Sequence, residues 1–197
     1  MDARLEVREA GPDDRETIAE MLGRAFLDDP VATFIEPDRA IREAANKYFF
    51  ASLFDEDGQG MRLTTTGREA ATLWHLPGKP VHMSLWQKIA GFWQLMRLPR
   101  DKARRIMAVQ SALKEHRLPG DHLYLHIAGC DPDHQGKGLG RAVVQAGLDR
   151  QPGHSVFLET ATEKNIRFYS GLGFAVVDEW TVPGGPVMWT MARPASG

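Results

Sequence analysis

Hydrophobic and polar positions near the start of the chain follow first the period of a strand and then that of a helix. Residues 5–8 (LEVR) alternate apolar and polar side chains, as a half-buried strand does. After the turn residues at 12–14 (PDD), apolar side chains recur at three- and four-residue spacing, which predicts a helix. These side chains are Ile18, Met21, Leu22, Ala25 and Phe26. Residues 27–30 (LDDP) are expected to end that helix, and a second helix is predicted over residues 38–54.

Strands and helices are mixed along the rest of the chain. Further strands are predicted over residues 61–66, 70–76, 122–130, 155–159, 174–182 and 186–193. Further helices are predicted over residues 85–96, 101–116, 139–150 and 165–171. No linker or internal repeat divides this order, so the sequence predicts one mixed α/β (α+β) domain over residues 1–197.

Composition and charge narrow the choice of function. The chain has 197 residues, of which 43% are hydrophobic and 25% charged, and these proportions are ordinary for a globular domain. Its 24 Lys and Arg side chains nearly balance its 26 Asp and Glu side chains, which gives a formal net charge of -2. That balance argues against bulk-charge binding, so neither a nucleic acid nor a membrane is an expected partner. A local basic patch is still compatible with it.

The cysteine and histidine content limits disulfide and metal chemistry. The single cysteine, Cys130, excludes an intrachain disulfide and a Cys-based zinc cluster, and the seven histidines contain no HExxH pair, so no metal is expected. The first residues are charged and lack the apolar run of a signal peptide. Residues 84–99 form the longest apolar-rich stretch, which is too short and too polar to span a bilayer. We therefore expect a cytoplasmic protein.

The most informative segment is the glycine-rich turn at residues 130–141 (CDPDHQGKGLGR), between a predicted strand and an amphipathic helix. Closely spaced glycines at a helix start let backbone N–H groups approach an anion, and the helix dipole and two cations, Lys137 and Arg141, favour one there. This predicts a phosphate or pyrophosphate site. The segment does not match a Walker A loop, because no Ser or Thr follows Lys137. It does not match the GxGxxG fingerprint of dinucleotide-binding proteins either, because Arg141 stands where the last glycine is required. The alternative is a turn whose glycines serve packing only.

Two motifs resemble those of the GNAT N-acetyltransferases. Gln135, Gly138 and Gly140 match the family's [Q/R]xxGx[G/A] signature, and residues 165–174 (NIRFYSGLGF) are similar to its FYxxxGF segment. Residues 132–140, 157–160 and 187–191 are most similar to puromycin N-acetyltransferase and its relatives. The resemblance is strongest over residues 122–193. It implies a central, mostly antiparallel sheet with a splayed parallel strand pair, flanked by helices, and a variable helical insertion around residues 84–118.

The resemblance also implies acetyl-CoA as co-substrate, held between strands 122–130 and 155–159. The resemblance implies that acetyl-CoA contacts main-chain groups of the first strand, and also the glycine-rich turn and the start of the following helix. Asn165 is a further candidate for a contact with acetyl-CoA. The carried-over residues are Ala128, Gly129, Cys130, Gln135, Gly136, Lys137, Gly138, Leu139, Gly140 and Arg141. Many family members place the Asn that contacts CoA where this chain has Thr162, so Asn165 has a helix-start role as its alternative. Cys130 is interpreted as a small hydrophobe and not as a nucleophile.

The implied reaction is direct attack of an amine on a thioester, so the amine must lose a proton and the departing thiolate must gain one. Tyr169 matches the family's proton donor, and its alternative role is to pack the short helix against the sheet. Glu159 and His126 are the candidate general bases. The alternative role of each is that of a hydrogen-bonded residue of the sheet. Water is an alternative acceptor for the proton of the amine. His126 is expected to share one strand face with Tyr124 and Ala128.

The acceptor is expected to bind at the loop between the first two helices, where Phe26, Asp28 and Asp29 are candidates, and at Trp74 of the aromatic-rich middle. Carboxylates suit a cationic amine, although helix caps and core packing explain the same residues. The leading hypothesis is acetyl transfer to the primary amine of a small molecule. The alternatives are a protein N-terminal or lysine acetyltransferase and a non-catalytic acyl-CoA-binding module. The oligomeric state stays open, with residues 85–116 as a surface for a homodimer.

Overall fold

The centre of the molecule is a mixed β-sheet with helices on both faces. The structure is a computed structural model, and it describes residues 6–56, 60–78 and 98–195. Within these ranges the strands are β1 (Val7–Glu9), β2 (Met61–Thr65), β3 (Ala70–His75), β4 (Leu123–Cys130), β5 (Val156–Thr160), β6 (Ala175–Thr181) and β7 (Val187–Arg193). The helices are α1 (Arg15–Ala25), α2 (Pro30–Ile35), α3 (Arg39–Glu56), α4 (Arg100–Glu115), α5 (Leu139–Arg150) and α6 (Glu163–Ser170).

The strand order in the sheet is β1-β2-β3-β4-β5-β7-β6. Each neighbouring pair is antiparallel except β4 and β5, which run parallel. The crossover between the two parallel strands is α5, because a parallel connection must carry the chain back across a face of the sheet. The predicted mixed α/β fold, mostly antiparallel with one parallel pair and flanked by helices, is confirmed.

Each face of the sheet has its own hydrophobic cluster. On one face, α1 buries Ile18 and Leu22 together with Phe50 and Phe54 of α3 and Leu73 of β3. The three- and four-residue spacing of the apolar side chains in α1 explains why that helix buries a single stripe. On the opposite face, α5 and the segment that follows α6 cover side chains of β4, β5 and β7. The parallel pair is therefore covered on one face by α5 and the segment after α6, while on the other face α1 packs against β3 and the end of β4.

The structure adds one helix to the predicted elements. Residues 27–30 were expected only to end α1, but Asp29 also caps the six-residue helix α2. Its carboxylate accepts hydrogen bonds from the backbone N–H groups of Val31 (2.8 Å) and Ala32 (3.1 Å). Asp followed by Pro is the usual start of a helix, so this signal was present in the sequence. The predicted helix over residues 85–96 lies outside the described residues.

No helix within residues 6–56, 60–78 and 98–195 is long and apolar enough to cross a membrane.

Candidate active site

The site begins where the two parallel strands separate. Register pairs join β4 and β5 only at Leu123 with Val156 and at Tyr124 with Phe157. Both strands continue beyond these pairs, β4 to Cys130 and β5 to Thr160. The backbone groups that β4 and β5 turn toward each other beyond Tyr124 and Phe157 are therefore not joined in a ladder. A gap opens between the carboxyl ends of the two strands, and backbone groups of β4 line it.

A β-bulge in β4 lies at the start of this gap. On β3, Trp74 pairs with Leu125 and the preceding Leu73 pairs with Ile127, so His126 is an extra residue in β4. A bulge reverses the alternation of side chains along a strand. Ala128 consequently packs on the same core cluster as Leu125, while Gly129 faces α1. The prediction that Tyr124, His126 and Ala128 share one face is wrong for Ala128.

The glycine-rich turn follows the end of β4. Asp131 caps a short 3-10 turn over residues 132–134, and Gly138 is the N-cap of α5. Gly136 and Gly138 have φ angles of 77° and 81°, in the left-handed region that favours glycine. The first N–H groups of α5 have no acceptor within their own helix, and the dipole makes that end positive. Among the described residues, no atom beyond Gly136 and its two chain neighbours lies within 4 Å of the position that a Cβ would take at Gly136. This arrangement suits an anion.

Side chains of the turn brace its backbone. Gln135 donates from Nε2 to the carbonyl of Cys130 (3.3 Å), and Lys137 donates from Nζ to the carbonyl of Asp133 (3.1 Å). Arg141 donates to the carbonyl of Gly171 (3.0 Å), which ties α5 to the end of α6. Lys164 of α6 donates to Oε1 of Gln135 (3.2 Å), and sequence reasoning missed this third cation near the turn. Positive charge from α5, α6 and the turn therefore collects around the helix start.

A second contact that the sequence analysis missed holds the turn from the opposite side. The buried carboxylate of Asp131 forms an ion pair with Arg24 of α1 and accepts a hydrogen bond from the N–H of Asp133 (3.0 Å). The N–H of Asp131 donates to the carbonyl of Glu69 (2.8 Å). The Asp-Pro pair at 131–132 was the available signal for a cap, but its partner Arg24 is 107 residues away in the sequence. The start of the turn is thus fixed to α1 and to the β2–β3 turn.

Cys130 lies at the carboxyl end of β4 and is partly exposed. Burial, followed by the negative charge of Asp131, raises the pKa of its thiol. A raised pKa keeps the thiol protonated at neutral pH, and a thiol is a much poorer nucleophile than a thiolate. This environment agrees with the interpretation of Cys130 as a small hydrophobe next to the gap.

Glu159 and His126 are brought together on one face at the gap. Tyr124 of β4 pairs with Phe157 of β5, and His126 and Glu159 each lie two residues further along their strands. Burial raises the pKa of Glu159, whereas a hydrogen bond from Tyr124, the positive charge of Arg117 and the electrostatic influence of the nearby His126 act to lower it. The rings of Tyr124 and His126 are 5.4 Å apart. Sequence reasoning placed Tyr124 on the same strand face as His126, but it missed the hydrogen bond from Tyr124 to Glu159 and the nearby Arg117.

Tyr169 lies on α6, whose start is capped by Thr162. The Thr162 hydroxyl accepts a hydrogen bond from the N–H of Asn165 (3.3 Å). The Tyr169 ring packs between Phe168 (5.0 Å between ring centroids) and Phe174 (5.7 Å), and the residue is 7% exposed. Burial raises the pKa of its hydroxyl, so Tyr169 stays protonated across the physiological pH range and retains a proton to donate.

Asn165 supports the end of β5. Its side-chain Nδ2 donates to the hydroxyl of Thr160 (3.0 Å), the last residue of β5. The N-cap of α6 is Thr162, and Asn165 lies in the first turn of the helix, where its N–H is bound by the cap. One N–H of its amide is engaged within the protein, and this bond connects α6 to the end of β5.

The predicted acceptor residues differ in their surroundings. Phe26 is half-buried, its ring lies 5.0 Å from that of Phe50, and a Cβ on Gly129 would be 3.3 Å from it. Phe26 therefore borders β4 beside the gap. Asp28 forms an exposed ion pair with Arg39, and Asp29 caps α2, with burial raising the pKa of its carboxyl. Both carboxylates already have partners within the chain.

Trp74 does not belong to the acceptor site. Its side chain is fully buried, and its indole N–H donates to the Thr72 hydroxyl (2.8 Å). A Cβ placed on Gly147 of α5 would lie 2.3 Å from the Trp74 ring, so the indole fills the contact between β3 and α5. The prediction of Trp74 as a substrate contact is wrong because core packing removes it from solvent. The neighbouring His75 does reach the site, with its ring 4.6 Å from that of His126.

Within the described ranges, no three His, Cys, Asp or Glu side chains come together in a group that suits a metal ion.

Comparison with known proteins shows the family. Residues 39–174 match a model of the acetyltransferase (GNAT) family. Among solved structures, the fold is similar to a histone acetyltransferase HPA2-related acetyltransferase from Corynebacterium glutamicum (TM-score 0.67, 18% identity, 97% of this chain and 96% of that chain covered). It is also similar to arylalkylamine N-acetyltransferase 2 from Aedes aegypti (TM-score 0.59, 14% identity, 97% and 99% covered). A third similar structure is the polyamine N-acetyltransferase of Drosophila melanogaster (TM-score 0.58, 17% identity, 96% and 99% covered).

These identities are low, so the three structures establish a shared fold. The family match spans more than half of the chain and includes β4, the glycine-rich turn, α5, β5 and α6. The protein therefore belongs to the GNAT family of acetyltransferases, whose co-substrate is acetyl-CoA.

Proposed function

We propose that this protein transfers an acetyl group from acetyl-CoA to the primary amine of a small molecule. The observation that carries the proposal is the gap between β4 and β5, which has an anion-binding helix start at one end and Glu159 with His126 on its side. The gap matches an extended thioester with a pyrophosphate at one end. One domain, over residues 1–197, would contain both halves of the site, and we expect it to work in the cytoplasm.

The residues of the turn fit a pyrophosphate. The backbone from Gln135 to Arg141 would hold it, with Gly136 and Gly138 permitting close approach. Main-chain groups of Ala128, Gly129 and Cys130 would hold the pantetheine arm, because β4 forms no ladder with β5 along this stretch. Acetyl-CoA supplies the thioester that is to be cleaved. A main-chain N–H near Cys130 would stabilise the negative charge that develops on the thioester oxygen.

Two side chains would take part in proton transfer. Glu159, with His126 beside it, would accept the first proton of the acceptor's ammonium group, directly or through a water molecule, and later release it to solvent. The neutral amine nitrogen then attacks the carbonyl carbon, a C–N bond forms, the C–S bond breaks, and the nitrogen loses a second proton to solvent as the amide forms. Tyr169 would donate its proton to the departing thiolate and recover a proton from solvent. The raised pKa of Tyr169 keeps it in the form that this role requires.

Proteins of similar fold, and the resemblance to puromycin N-acetyltransferase, suggest which classes of amine to consider as acceptors. The similar structures include a polyamine and two arylalkylamine N-acetyltransferases and, from Escherichia coli, a ribosomal-protein-S18-alanine N-acetyltransferase. The resemblance to puromycin N-acetyltransferase adds aminonucleosides. We favour a small molecule, because Arg117, Tyr124, His126 and His75 crowd the acceptor face of the gap with side chains.

The test is release of free thiol from acetyl-CoA with a panel of monoamines, diamines, aminonucleosides and peptides with a free α-amine. We expect thiol release with a small amine at a higher kcat/KM than with any peptide. Binding of acetyl-CoA without thiol release for any amine would show a non-catalytic module, and faster reaction of peptides would show a protein acetyltransferase. Failure to bind acetyl-CoA at all would refute the assignment of residues 135–141.

A further inference from the structure

An arginine, Arg117, lies on the acceptor face at the point where the gap opens. Arg117 follows α4, and its guanidinium carbon is 5.1 Å from the ring centroid of Tyr124 and 5.6 Å from that of Phe157. Those two rings are stacked, with centroids 4.5 Å apart, and they belong to the last register pair before β4 and β5 diverge. The guanidinium thus has a defined aromatic platform at the mouth of the gap.

The same guanidinium acts on the proposed base. Its positive charge favours the ionised form of Glu159, and Tyr124, over which it lies, is hydrogen-bonded to that carboxylate. An arginine side chain stays charged at every pH at which a protein is folded. An acceptor amine that approaches Glu159 therefore meets a permanent positive charge close to its path.

The carboxylates expected to attract a cationic acceptor are engaged elsewhere. Asp28 pairs with Arg39, and Asp29 accepts two backbone hydrogen bonds at the start of α2. Glu36, at the end of α2, forms an ion pair of 2.7 Å with Lys102 of α4. A second positive charge that bound at one of these three carboxylates would have to displace the partner that the carboxylate already has.

The rest of the described acceptor face is aromatic. The ring of His75 lies 5.3 Å from that of Tyr124 and 4.6 Å from that of His126. All three residues are half-buried, so part of each remains accessible. Flat rings of this kind offer an acceptor van der Waals contact and stacking, which need no charge on the acceptor.

We propose that Arg117 determines acceptor specificity and that the acceptor is a primary monoamine whose remaining part is uncharged. This inference rests on the proposed acetyltransferase function. The reacting amine gives up its proton before it attacks, so the guanidinium repels it only until then, whereas a second ammonium group keeps its charge throughout. Two positive charges about 7 Å apart at a protein surface repel each other enough to lower kcat/KM roughly tenfold.

The test compares hexylamine with 1,5-diaminopentane as acceptors in the thiol-release assay. The two molecules have chains of equal length, and the diamine carries an ammonium group where hexylamine carries a methyl group. We expect the unmodified protein to prefer hexylamine by about tenfold in kcat/KM, after correction for the two equivalent amines of the diamine. Phenethylamine, which adds a flat ring, is expected to react at least as well as hexylamine.

Three variants assign the preference to Arg117. Arg117→Gln is expected to reduce the preference for hexylamine to about twofold, and Arg117→Lys, which keeps the charge, to retain most of it. Arg104→Gln is the matched control, because it removes one exposed arginine about 20 Å away along α4. It is expected to leave the ratio unchanged.

The outcomes separate the two proposals. A preference of the unmodified protein for the diamine, or a ratio that Arg117→Gln leaves at the unmodified value, refutes the specificity role while acetyl transfer still stands. If Arg117→Gln does not fold, Arg117→Met, which also removes the charge, replaces it, with the same expected reduction of the preference to about twofold. Absence of thiol release with all three amines and with the wider panel refutes both proposals.

Discussion

The two halves of the site are built in different ways. The proposed cofactor half consists of the carboxyl end of β4, the glycine-rich turn and the start of α5, and it presents mainly backbone N–H groups and a helix dipole. The proposed acceptor half consists of side chains from β3, β4, β5 and the segment before β4: His75, Tyr124, His126, Glu159 and Arg117. Backbone forms the first half, and side-chain chemistry forms the second.

This difference determines which amino-acid substitutions each half tolerates. A backbone site tolerates many side chains but depends on the few glycines that give it its shape. A side-chain site can change its specificity with one substitution while the sheet that carries it stays the same. We therefore expect the cofactor half to fail when its conformation is altered, and the acceptor half to fail when a functional group is removed.

The largest effect is expected from the loss of one hydroxyl. Tyr169→Phe removes the proposed proton donor but keeps the buried ring that packs between Phe168 and Phe174. We expect kcat to fall about 100-fold, as is typical for the loss of a general acid, with the KM for acetyl-CoA within about twofold of its original value. Steady-state kinetics with the best acceptor of the panel measures both.

A matched control for this variant is Tyr48→Phe, which removes a hydroxyl from a residue that is 75% exposed on α3. It is expected to change neither constant. Full activity of Tyr169→Phe would show that Tyr169 only packs α6 against the sheet, and would leave the departing thiolate to be protonated by water.

The next effect is expected from a change in backbone conformation. Gly138→Ala places a Cβ on a residue whose φ is 81°, at the N-cap of α5. The left-handed conformation costs an alanine about 1–2 kcal/mol, so we expect the KM for acetyl-CoA to rise about tenfold with kcat little changed. Gly153→Ala is the control, since Gly153 lies outside the left-handed region and has no atom within 4 Å of its Cβ position. An unchanged KM for Gly138→Ala would mean that the pyrophosphate binds elsewhere.

The backbone conformation of the proposed cofactor half was predictable because its signal is local. Glycine spacing, a Pro-containing turn and an amphipathic helix lie within residues 130–150, and each sets the backbone conformation that the structure shows at Gly136, Gly138 and α5. Helix and strand periods likewise predicted α1, α3, α5 and the strand order along the chain. Turn residues and the hydrophobic period depend on residues that are near each other in the chain, so a single sequence is enough to detect them.

The acceptor half was predicted only in part because it depends on contacts between distant residues. Arg117 and Glu159 are far apart in the sequence, and nothing in either segment indicates that they meet. The bulge at His126 arises from the pairing of β4 with β3, so the simple alternation predicted for β4 failed there. Trp74 was assigned to the substrate because a sequence does not distinguish a core aromatic residue from one that lines a pocket.

A smaller effect is expected from a neighbour of the proposed base, and it depends on pH. Tyr124→Phe removes the hydrogen bond that lowers the pKa of Glu159, so the pKa, already raised by burial, rises further. The ionised form is the base, so the acidic limb of kcat/KM moves to higher pH. One pH unit below the original limb, we expect a loss of roughly fivefold, with little change at high pH.

Glu159→Gln supplies the control for that profile, because it removes the titrating group and with it the acidic limb. A Tyr124→Phe profile that moves to lower pH, or that keeps its position while activity falls uniformly, would contradict the assignment of Glu159 as the base held by Tyr124.

The smallest effect is expected from removal of the Lys137 side chain, although Lys137 is next to Gly138, whose substitution is expected to have a large effect. Lys137 is exposed and donates to the carbonyl of Asp133, so its charge is well screened by solvent. Lys137→Ala is expected to raise the KM for acetyl-CoA only about two- to threefold, and less at high salt. Lys114→Ala, an exposed lysine on α4, is the control and should have no effect. A larger effect of Lys137→Ala than of Gly138→Ala would show that side-chain charge, and not backbone conformation, dominates cofactor binding, and the contrast between the two halves would no longer hold.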